Sequence, residues 1–545
     1  DFVVLRKIDL CWGGPMSMGS VRNISTATGF ASSIGSLSPV WLVAAVVVFS
    51  FFMPWTAGNN TDVSWLIVIC EKVLDGQKLY VDILETNPPF SVDLYIGPVW
   101  LSHRFGISPE SAIECFIYLV FFVSIALSAV VIERGRIFAD LKTPWIYPAL
   151  AVLLLIMPGN VFGQREHIGT MLFMPMLFLM MWRFENRADA PVPLGLAVAV
   201  GLAGSVLLLV KPHWATGIVV PYLFIAWRRR SLMACLTAEN VIIFTVCAAY
   251  LASVYIWFPE FLGTFLQVLM RYYVSLRANI NIVAALPTFA IFVVFAVFQM
   301  RKSVWRDDVA LAMASAGGLF VSMVYLGKYW PNHQYPFQTT LVFAMLLAVA
   351  SRWRMALGLA NAEAAPEIAS VKLHAAAWLA VVAALSVTHH QFYQLPEKSL
   401  VDAIKSRYAS PSIVQVSSDL SVGNPLTRMS NGRWLSAYAH DWVGTYALWG
   451  LMRGTYQGED ERIARQDLDD YTRYVNSLIR DNKPDIILMD RMNKKKSAWS
   501  LTADFPPIWI VWMRQNADFQ TLMDGYEEIA SGDYIEVYAR RSDAH

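Results

Sequence analysis

The sequence carries little charge for its length. Aspartate, glutamate, lysine and arginine make up 16% of the 545 residues, whereas a soluble globular chain has about 25%. Hydrophobic residues reach 56%, and the mean hydropathy is +0.44. The formal net charge is only +1, which gives no sign of the clustered basic surface that nucleic-acid binding requires. This composition indicates a chain whose main solvent is a lipid bilayer.

Cysteine and the common nucleotide-binding motifs are also scarce. The five cysteines form no CxxC pair, and none lies beyond Cys247. A disulfide framework and a structural zinc site are therefore not indicated. The last 150 residues or so contain no GxGxxG motif, no Walker loop and no His/Cys set with metal-ligand spacing. We expect no cofactor and no metal, because the histidines elsewhere in the chain are also too widely spaced to indicate a ligand set.

Eleven apolar stretches have the character of membrane-spanning helices, which need about 20 mostly apolar residues. They are roughly 38–56, 112–132, 145–159, 168–184, 193–210, 213–227, 239–257, 281–300, 308–326, 337–351 and 373–389. A twelfth stretch, about 90–105, is short and is interrupted by Asp93, Pro98, His103 and Arg104. Its assignment decides the orientation of everything that follows it.

The distribution of lysine and arginine decides how the twelfth stretch is placed, since these residues favour the cytoplasmic side. We place the N-terminal segment 1–37 in the cytoplasm and leave 90–105 out of the count. All five dense basic clusters between spans then face the cytoplasm: Arg134/Arg136/Lys142, Arg183/Arg187, Arg228/Arg229/Arg230, Arg301/Lys302/Arg306 and Arg352/Arg354. If 90–105 spanned, all five would lie outside. We therefore predict eleven spans, with 90–105 as a helix on the outer surface.

This topology divides the chain into a transmembrane domain, 38–392, and a soluble domain, 393–545. The outer loops are 57–111, 160–167, 211–213, 258–280 and 327–336. In the soluble domain, 412–417, 484–490 and 533–539 are typical of strands, and 459–480 has the spacing of an amphipathic helix. We predict a small α/β domain that acts as a lid or as a docking cap for the acceptor.

The first outer loop, 57–111, is the most informative stretch. A short helix is predicted from about residue 61 to Leu74, and either Thr61 or Asp62 can cap its N-terminus. Gly76 suits the position that ends this helix. The segment DGQKLYVDILETNPPF follows at 75–90, and its two prolines force an extended approach to the next helix. Helix capping is thus the alternative role for Asp62.

This arrangement resembles the polyprenyl-phosphate-dependent GT-C glycosyltransferases, which include the protein O-mannosyltransferases and the lipid A aminoarabinose transferases. The resemblance lies in an acidic residue after the first span, a short helix, DGQKLYVDILETNPPF, and a helix ending in HRFG. It covers about 38–350, is strongest in 58–106, and implies a GT-C-like fold with the di-proline helix on the outer leaflet. Val63 stands where many members have a second acidic residue.

The resemblance implies that an acceptor hydroxyl attacks a sugar carried on a lipid phosphate. The hydroxyl proton needs a carboxylate within hydrogen-bond reach, and the resemblance assigns that role to Asp62. Asp82 and Glu85 are the second candidates, with a solvated loop charge as the alternative for each. The leaving phosphate gains negative charge, which calls for preplaced basic donors.

Three basic clusters at the outer ends of helices fit this second requirement. They are Gln164-Arg165-Glu166-His167, Lys211-Pro212-His213 and the stretch Lys328–Tyr335, which contains His333. From them we predict a donor-phosphate site made of Arg165, His167, Lys211, His213, Lys328 and His333. The alternative is that each basic side chain reaches the lipid headgroups separately. The aromatic loop 258–280 is interpreted as an interfacial helix, or else as the wall of a lipid-entry groove.

Taken together, these features predict an inverting GT-C glycosyltransferase in a bacterial-type inner membrane. It would take sugar from a polyprenyl phosphate and deliver it to a lipid, polysaccharide or protein acceptor on the periplasmic side. One alternative is a transporter or flippase, although no clear inverted repeat is visible and the charges do not gather at the midplane. A second alternative is a non-catalytic assembly subunit whose soluble domain docks a partner.

Overall fold

The computed structural model describes residues 38–53, 60–138, 145–185, 191–274, 290–291, 306–327, 330–357, 361–391, 396–491 and 508–541. Ten of the eleven predicted apolar stretches coincide with helices. The remaining stretch, 281–300, lies outside the described residues except for 290–291. The protein is mostly helical, with a small sheet near its C-terminal end.

The apolar part of the chain forms twelve main helices within the described residues, besides several short helical turns. They are α1 Pro39–Phe51, α2 Thr61–Leu74, α3 Phe90–Phe105, α4 Pro109–Gly135, α5 Ile146–Ile156, α6 Arg165–Glu185, α7 Leu194–Val210, α8 Thr216–Arg229, α9 Ala238–Trp257, α10 Asp307–Leu326, α11 Pro331–Leu357 and α12 Asn361–Gln391.

In the described part of the chain, five helices are long and apolar enough to cross a membrane: α4, α6, α9, α10 and the segment Val371–His389 of α12. Three shorter apolar helices, α1, α5 and α7, accompany them. These features identify a multi-pass membrane protein. The predicted total of eleven spans is not established, because five of the described helices are both long and apolar enough to cross a membrane.

Helix α6 is the centre of the membrane part. It is buried along most of its length and packs against α4, α7, α10 and α11. Helix α10 lies directly on the start of α8, where Gly318 leaves no room for a side chain against the backbone of Thr216. The hydroxyl of Thr216 also donates to the carbonyl of Gly318 at 2.7 Å. These close contacts hold α8 and α10 in fixed relative positions.

The first outer loop forms the predicted helix pair. Helix α3 covers the predicted range 90–105. It is not one of the five helices that are long and apolar enough to cross a membrane. The capping prediction for α2 is wrong, because Asn60, one residue earlier than Thr61, is the N-cap. The end of α2 agrees with the prediction, since Gly76 follows it with a φ of 92°.

Two other loops differ from their predictions. The segment predicted as a loop, 160–167, is a short 3-10 turn, Gly159–Val161, followed by the start of α6. Arg165, Glu166 and His167 therefore lie in the first turn of a helix. In the 258–280 loop, the described residues form π-helical turns at Phe261–Phe265 and Leu269–Val274. The residues from 275 to 280 lie outside the described residues.

The C-terminal domain is an α/β unit with a five-stranded sheet. Its main elements are α13 Lys398–Arg407, β1 Ser412–Val416, β2 Arg433–Trp434, α14 Trp442–Met452, α15 Glu459–Asn482, β3 Ile486–Asp490, α16 Ile508–Gln515, α17 Ala517–Met523, β4 Tyr526–Ser531 and β5 Ile535–Arg540. Two single-turn helices, Leu420–Gly423 and Leu426–Met429, lie between β1 and β2. The strand order is β2-β1-β3-β5-β4. Strands β1, β2 and β3 are parallel, whereas β5 is antiparallel to both β3 and β4.

This domain sits on the first outer loop through polar contacts. The guanidinium of Arg428 donates to Glu71 and to Glu110, each at 2.7 Å. Lys72 Nζ donates to the carbonyl of Ser436 at 2.7 Å, and burial lowers the pKa of this lysine to about 8. The first outer loop and the C-terminal domain therefore lie on the same side of the protein.

Candidate active site

Asp62 lies in the first turn of α2, and its carboxylate is not needed to cap the helix. The side-chain oxygen of Asn60 accepts from the backbone N–H groups of Asp62, at 2.9 Å, and Val63, at 3.1 Å. The amide of Asn60 also donates to the carbonyl of Asn160, which ties α2 to the turn before α6. Asp62 is half-buried. A carboxylate at this position is stabilised by the positive end of the helix dipole.

Glu85 is buried at the back of the loop that follows α2. Its carboxylate accepts from the indole N–H of Trp65 at 2.6 Å and from the backbone N–H of Asn87 at 3.0 Å. Tyr80 helps to fold this loop, since its hydroxyl donates to the carbonyl of Asn87 at 2.6 Å. Arg165 Nη1 lies 3.7 Å from Glu85 Oε1. Glu85 is thus a buried counter-ion with hydrogen-bond partners of its own.

Glu166 joins three helix ends at the same place. Lys211 Nζ, at the end of α7, lies 2.7 Å from Glu166 Oε1. The amide of Asn332, in the first turn of α11, donates to the same oxygen at 3.0 Å. Glu166 is fully buried and Lys211 nearly so. Burial lowers the pKa of Lys211, while the negative charges of Glu166 and Asp62 oppose that change.

Arg165 connects these two groups of residues. Its distances to Glu85 and to Glu166 are 3.7 and 4.0 Å, which are longer than the 2.7–3.2 Å of a hydrogen bond. Asp62 also interacts electrostatically with Arg165. Arg165 is only 6% exposed, and among the described residues its guanidinium makes no hydrogen bond. A buried guanidinium with unused N–H groups is well suited to bind an anion that can accept two of them.

Two of the predicted histidines, His213 and His333, lie beside residues of this cluster. His213 Nε2 is buried and has no hydrogen-bond partner in the described part of the chain. The ring of His213 interacts electrostatically with Lys211 and with Glu166. His333 lies next to Asn332, is buried, and contacts the ring of Trp330 at a centroid distance of 5.2 Å. Lys328 lies outside the described residues.

Two of the predicted site residues are not brought to the cluster. His167 uses both ring nitrogens on the backbone: Nδ1 accepts from the N–H of Gly163 at 3.1 Å, and Nε2 donates to the carbonyl of Leu154 at 2.6 Å. This residue is a satisfied core histidine. Asp82 is exposed, and its carboxylate accepts from the backbone N–H of Lys78 at 2.8 Å. Asp82 therefore orders the loop.

Aromatic residues cover the cluster on the side of the C-terminal domain. The ring of Tyr273 lies 5.9 Å from that of Trp442, which also contacts Phe265 at 6.2 Å. Burial raises the pKa of Tyr273, and the charge of Asp62 and the neighbouring Tyr446 raise it further. Tyr273 thus lies between the charged cluster around Arg165 and the C-terminal domain. Together with Trp442 and Phe265 it covers the cluster on that side.

Several residues of the site were not predicted from the sequence. Glu166 and Asn332 belong to the quoted clusters, but only their basic neighbours were assigned a role. Trp65 gave no signal, because an aromatic residue in an apolar context is usually part of the core. Tyr273 belongs to the aromatic loop 258–280, which was interpreted as an interfacial helix or as the wall of a lipid-entry groove. A carboxylate inside a basic cluster at a helix end is the feature that points to Glu166, since a buried charge needs a partner.

None of the known protein-family models matches the sequence, and neither does any curated protein. Among solved structures, the chain is similar to ArnT from Cupriavidus metallidurans bound to undecaprenyl phosphate, with 14% identity, a TM-score of 0.47, and coverage of 95% of this chain and 99% of that one. The apo form of ArnT gives the same values. The chain is also similar to the archaeal oligosaccharyltransferase AglB from Archaeoglobus fulgidus, in complex with an inhibitory peptide and a dolichol-phosphate, with 10% identity, a TM-score of 0.44, and coverage of 92% and 74%.

Proposed function

We propose that this protein is a membrane glycosyltransferase that moves a sugar from a polyprenyl-phosphate donor to an acceptor hydroxyl. The supporting observation is the buried guanidinium of Arg165, which lies between two carboxylates without a hydrogen bond among the described residues and close to Asp62. We propose as its ligand a lipid phosphate of the kind that the similar ArnT and AglB structures contain.

In this proposal, Arg165 and Lys211 hold the phosphate of the donor. The phosphate competes with Glu85 for Arg165, and Glu85 stays satisfied because Trp65 and Asn87 still donate to it. When the bond between the sugar and the phosphate breaks, the phosphate gains negative charge. Cationic donors that are already in place stabilise that charge without reorganising. His213 and His333, with Lys328, are proposed as further donors, and His167 is left out.

Asp62 is the proposed general base. It takes the proton of the acceptor hydroxyl while the hydroxyl oxygen bonds to the anomeric carbon and the phosphate leaves with the electrons of the broken bond. A single displacement of this kind inverts the anomeric carbon. Glu85 is unsuited to this role because its carboxylate is engaged by Trp65 and Asn87. The acceptor, a lipid, polysaccharide or protein, would approach from the side of the site that Tyr273 and Trp442 cover.

A transporter or flippase is the competing function, and it needs a polar path through both leaflets. At the opposite ends of the helices, Arg183 donates twice to Glu239, at 2.9 Å for each bond. Tyr222 adds a third hydrogen bond to Glu239 at 2.6 Å. This buried group joins α6, α8 and α9, and it favours a closed end over an open path. The observation therefore supports an enzyme that works at one membrane face.

The purified protein should be assayed with a panel of undecaprenyl-phosphate-linked sugars, with release of free undecaprenyl phosphate as the measured product. We expect one donor to be consumed, and Arg165→Gln to lose both turnover and binding of undecaprenyl phosphate. Arg480→Gln serves as a control, because it removes an exposed guanidinium of α15 instead of one at the site. Failure of the wild type to bind undecaprenyl phosphate would contradict the proposal.

The side of the membrane is tested separately, with single cysteines in a cysteine-free background. We propose that the site faces the periplasm, as the basic clusters between the predicted spans indicate. A cysteine at Arg480 in α15 should react with an impermeant maleimide in intact spheroplasts, whereas one at Arg230, after α8, should react only after lysis. The opposite pattern would reverse the orientation and place the active site in the cytoplasm.

A further inference from the structure

A surface cavity lies beside the loop that follows α2. It is a groove of about 560 Å³ between the end of α2, the first turns of α3 and the end of α9. Ligand-binding pockets typically measure about 300–1,000 Å³. Most of its wall is apolar: Val73, Leu79, Val92, Ile96, Ile256 and Phe258. Three charged side chains also line it: Lys78, Asp93 and Glu260.

The groove opens toward the surface that faces the bilayer. Its wall includes Ile256 and Trp257, the last two residues of α9, and their side chains are 65% and 71% exposed. Helix α9 is one of the helices long and apolar enough to cross the membrane. Tryptophan is enriched where such helices leave the hydrocarbon region. The groove therefore lies at the level of the lipid headgroups.

The charged groups of the groove have no partners in the described part of the protein. Lys78, Asp93 and Glu260 make no side-chain ion pair and no side-chain hydrogen bond there. Asp93 is exposed, and partial desolvation by its surroundings raises the pKa of its carboxyl to about 6. One ammonium and two carboxyl groups thus surround an apolar groove at the membrane surface. All three residues are exposed, so their charged groups can reach a headgroup that lies over the groove.

We propose that this groove binds a zwitterionic phospholipid whose headgroup ends in a primary ammonium, such as phosphatidylethanolamine. Lys78 would receive the phosphate, and Asp93 and Glu260 would accept hydrogen bonds from the ammonium. The start of an acyl chain would lie against Ile96 and Phe258. An anionic lipid without an amine would meet two carboxyl groups, and a choline headgroup has no N–H to donate.

The lipid would act on the loop that carries Glu85, and it takes no part in the transfer. Leu79 and Val81 of the groove flank Tyr80, whose ring packs on Phe258 at a centroid distance of 5.9 Å and on Phe261 at 4.6 Å. The hydroxyl of Tyr80 holds the carbonyl of Asn87 at 2.6 Å. A lipid in the groove would therefore stabilise the loop conformation that positions Glu85 beside Arg165. Binding itself does not depend on the proposed glycosyl transfer.

Native mass spectrometry of the full chain, titrated with phosphatidylethanolamine, phosphatidylcholine or phosphatidylglycerol, tests the proposal. We expect phosphatidylethanolamine to bind at least about tenfold more tightly than either other lipid, the effect of one or more charge-assisted hydrogen bonds. Lys78→Gln and Asp93→Asn should each remove most of that preference. Lys405→Gln and Asp469→Asn make the same chemical changes at exposed sites of the soluble domain and should bind like the wild type.

Two results would overturn the proposal. Equal affinity for the three lipids, or a preference for phosphatidylglycerol, would show that the carboxyl groups do not select an ammonium. An unchanged preference in Lys78→Gln and in Asp93→Asn would place the lipid elsewhere on the protein. Both changes are at exposed residues, so a melting temperature within a degree or two of the wild type is expected. Neither result would depend on whether undecaprenyl phosphate binds at Arg165.

Discussion

The ion pair between Lys211 and Glu166 allows the structural and functional roles of a buried cation to be separated. The two atoms are 2.7 Å apart and both side chains are buried. Replacing Lys211 by methionine keeps a side chain of similar length and removes the ammonium. Among the described residues, Glu166 is then left in the interior with only the amide of Asn332 as a hydrogen-bond donor.

The expected cost follows from that geometry. At 2.7 Å and an effective dielectric constant of about 20, two unit charges attract by about 6 kcal/mol, before the cost of desolvation is subtracted. Breaking a buried pair by removing one partner typically costs about 3–5 kcal/mol. Replacing both charges by neutral groups is often close to neutral. Lys211→Met should therefore be strongly destabilising, whereas Lys211→Met combined with Glu166→Gln should not.

Two measurements on the same purified variants carry the test. The melting temperature, followed by tryptophan fluorescence, should fall by several degrees for Lys211→Met and return close to the wild-type value in the double variant. Binding of undecaprenyl phosphate should weaken about tenfold or more in both variants, because the ammonium that we propose contacts the phosphate is absent from both.

The double variant decides between the two roles. If it regains both stability and wild-type affinity for undecaprenyl phosphate, Lys211 serves only to compensate Glu166, and the proposed donor site is wrong at this residue. If Lys211→Met melts at the wild-type temperature, the pair is not the buried ion pair that the distances indicate.

Three other perturbations have defined outcomes. Asn60→Ala removes the N-cap of α2, which typically costs about 1 kcal/mol of stability. The loss of turnover should exceed what this small loss of stability explains, because Asp62 lies in the capped turn. Arg428→Gln leaves the carboxylates of the docking surface without their guanidinium, so limited trypsin digestion should release the soluble domain faster than in the wild type. Burial raises the pKa of Asp441 from 3.8 to about 7, so the folded chain holds a proton that the unfolded chain loses. The stabilisation is present below pH 3.8 and is lost as the pH rises to about 7. The melting temperature should thus fall between about pH 4 and pH 7, and Asp441→Asn should flatten this dependence.

The helical part of the fold could be predicted from the sequence because apolar length alone identifies helices in a membrane protein. Strands β1, β3 and β5 were predicted for a similar reason, since each has a run of β-branched or alternating apolar residues. Strands β2 and β4 were not. Strand β2 has only two residues, Arg433–Trp434, and β4 has the sequence YEEIAS at the edge of the sheet, where neither face is strongly apolar.

The candidate site was predictable only in part, because partners that are distant in the sequence decide which charges meet. Arg165 and Lys211 were singled out by their position at outer helix ends, and the structure brings both to Glu166. His167 has the same sequence context as Arg165, yet it faces the backbone of Gly163 and Leu154. In a helix, successive residues point about 100° apart, so neighbours in one cluster face different surroundings. Only the packing of α6 shows which of them faces the site.

Asp62→Asn tests the central claim most directly. Asparagine keeps the size of the side chain, and Asn60 still caps the helix, so folding and binding of undecaprenyl phosphate should stay close to wild type. Loss of a general base typically lowers the rate about 10²–10⁴-fold. We expect a decrease of that size in transfer from the undecaprenyl-phosphate sugar, with Asp82→Asn as the matched control at near wild-type rate. A folded Asp62→Asn protein that transfers sugar at the wild-type rate would contradict the account.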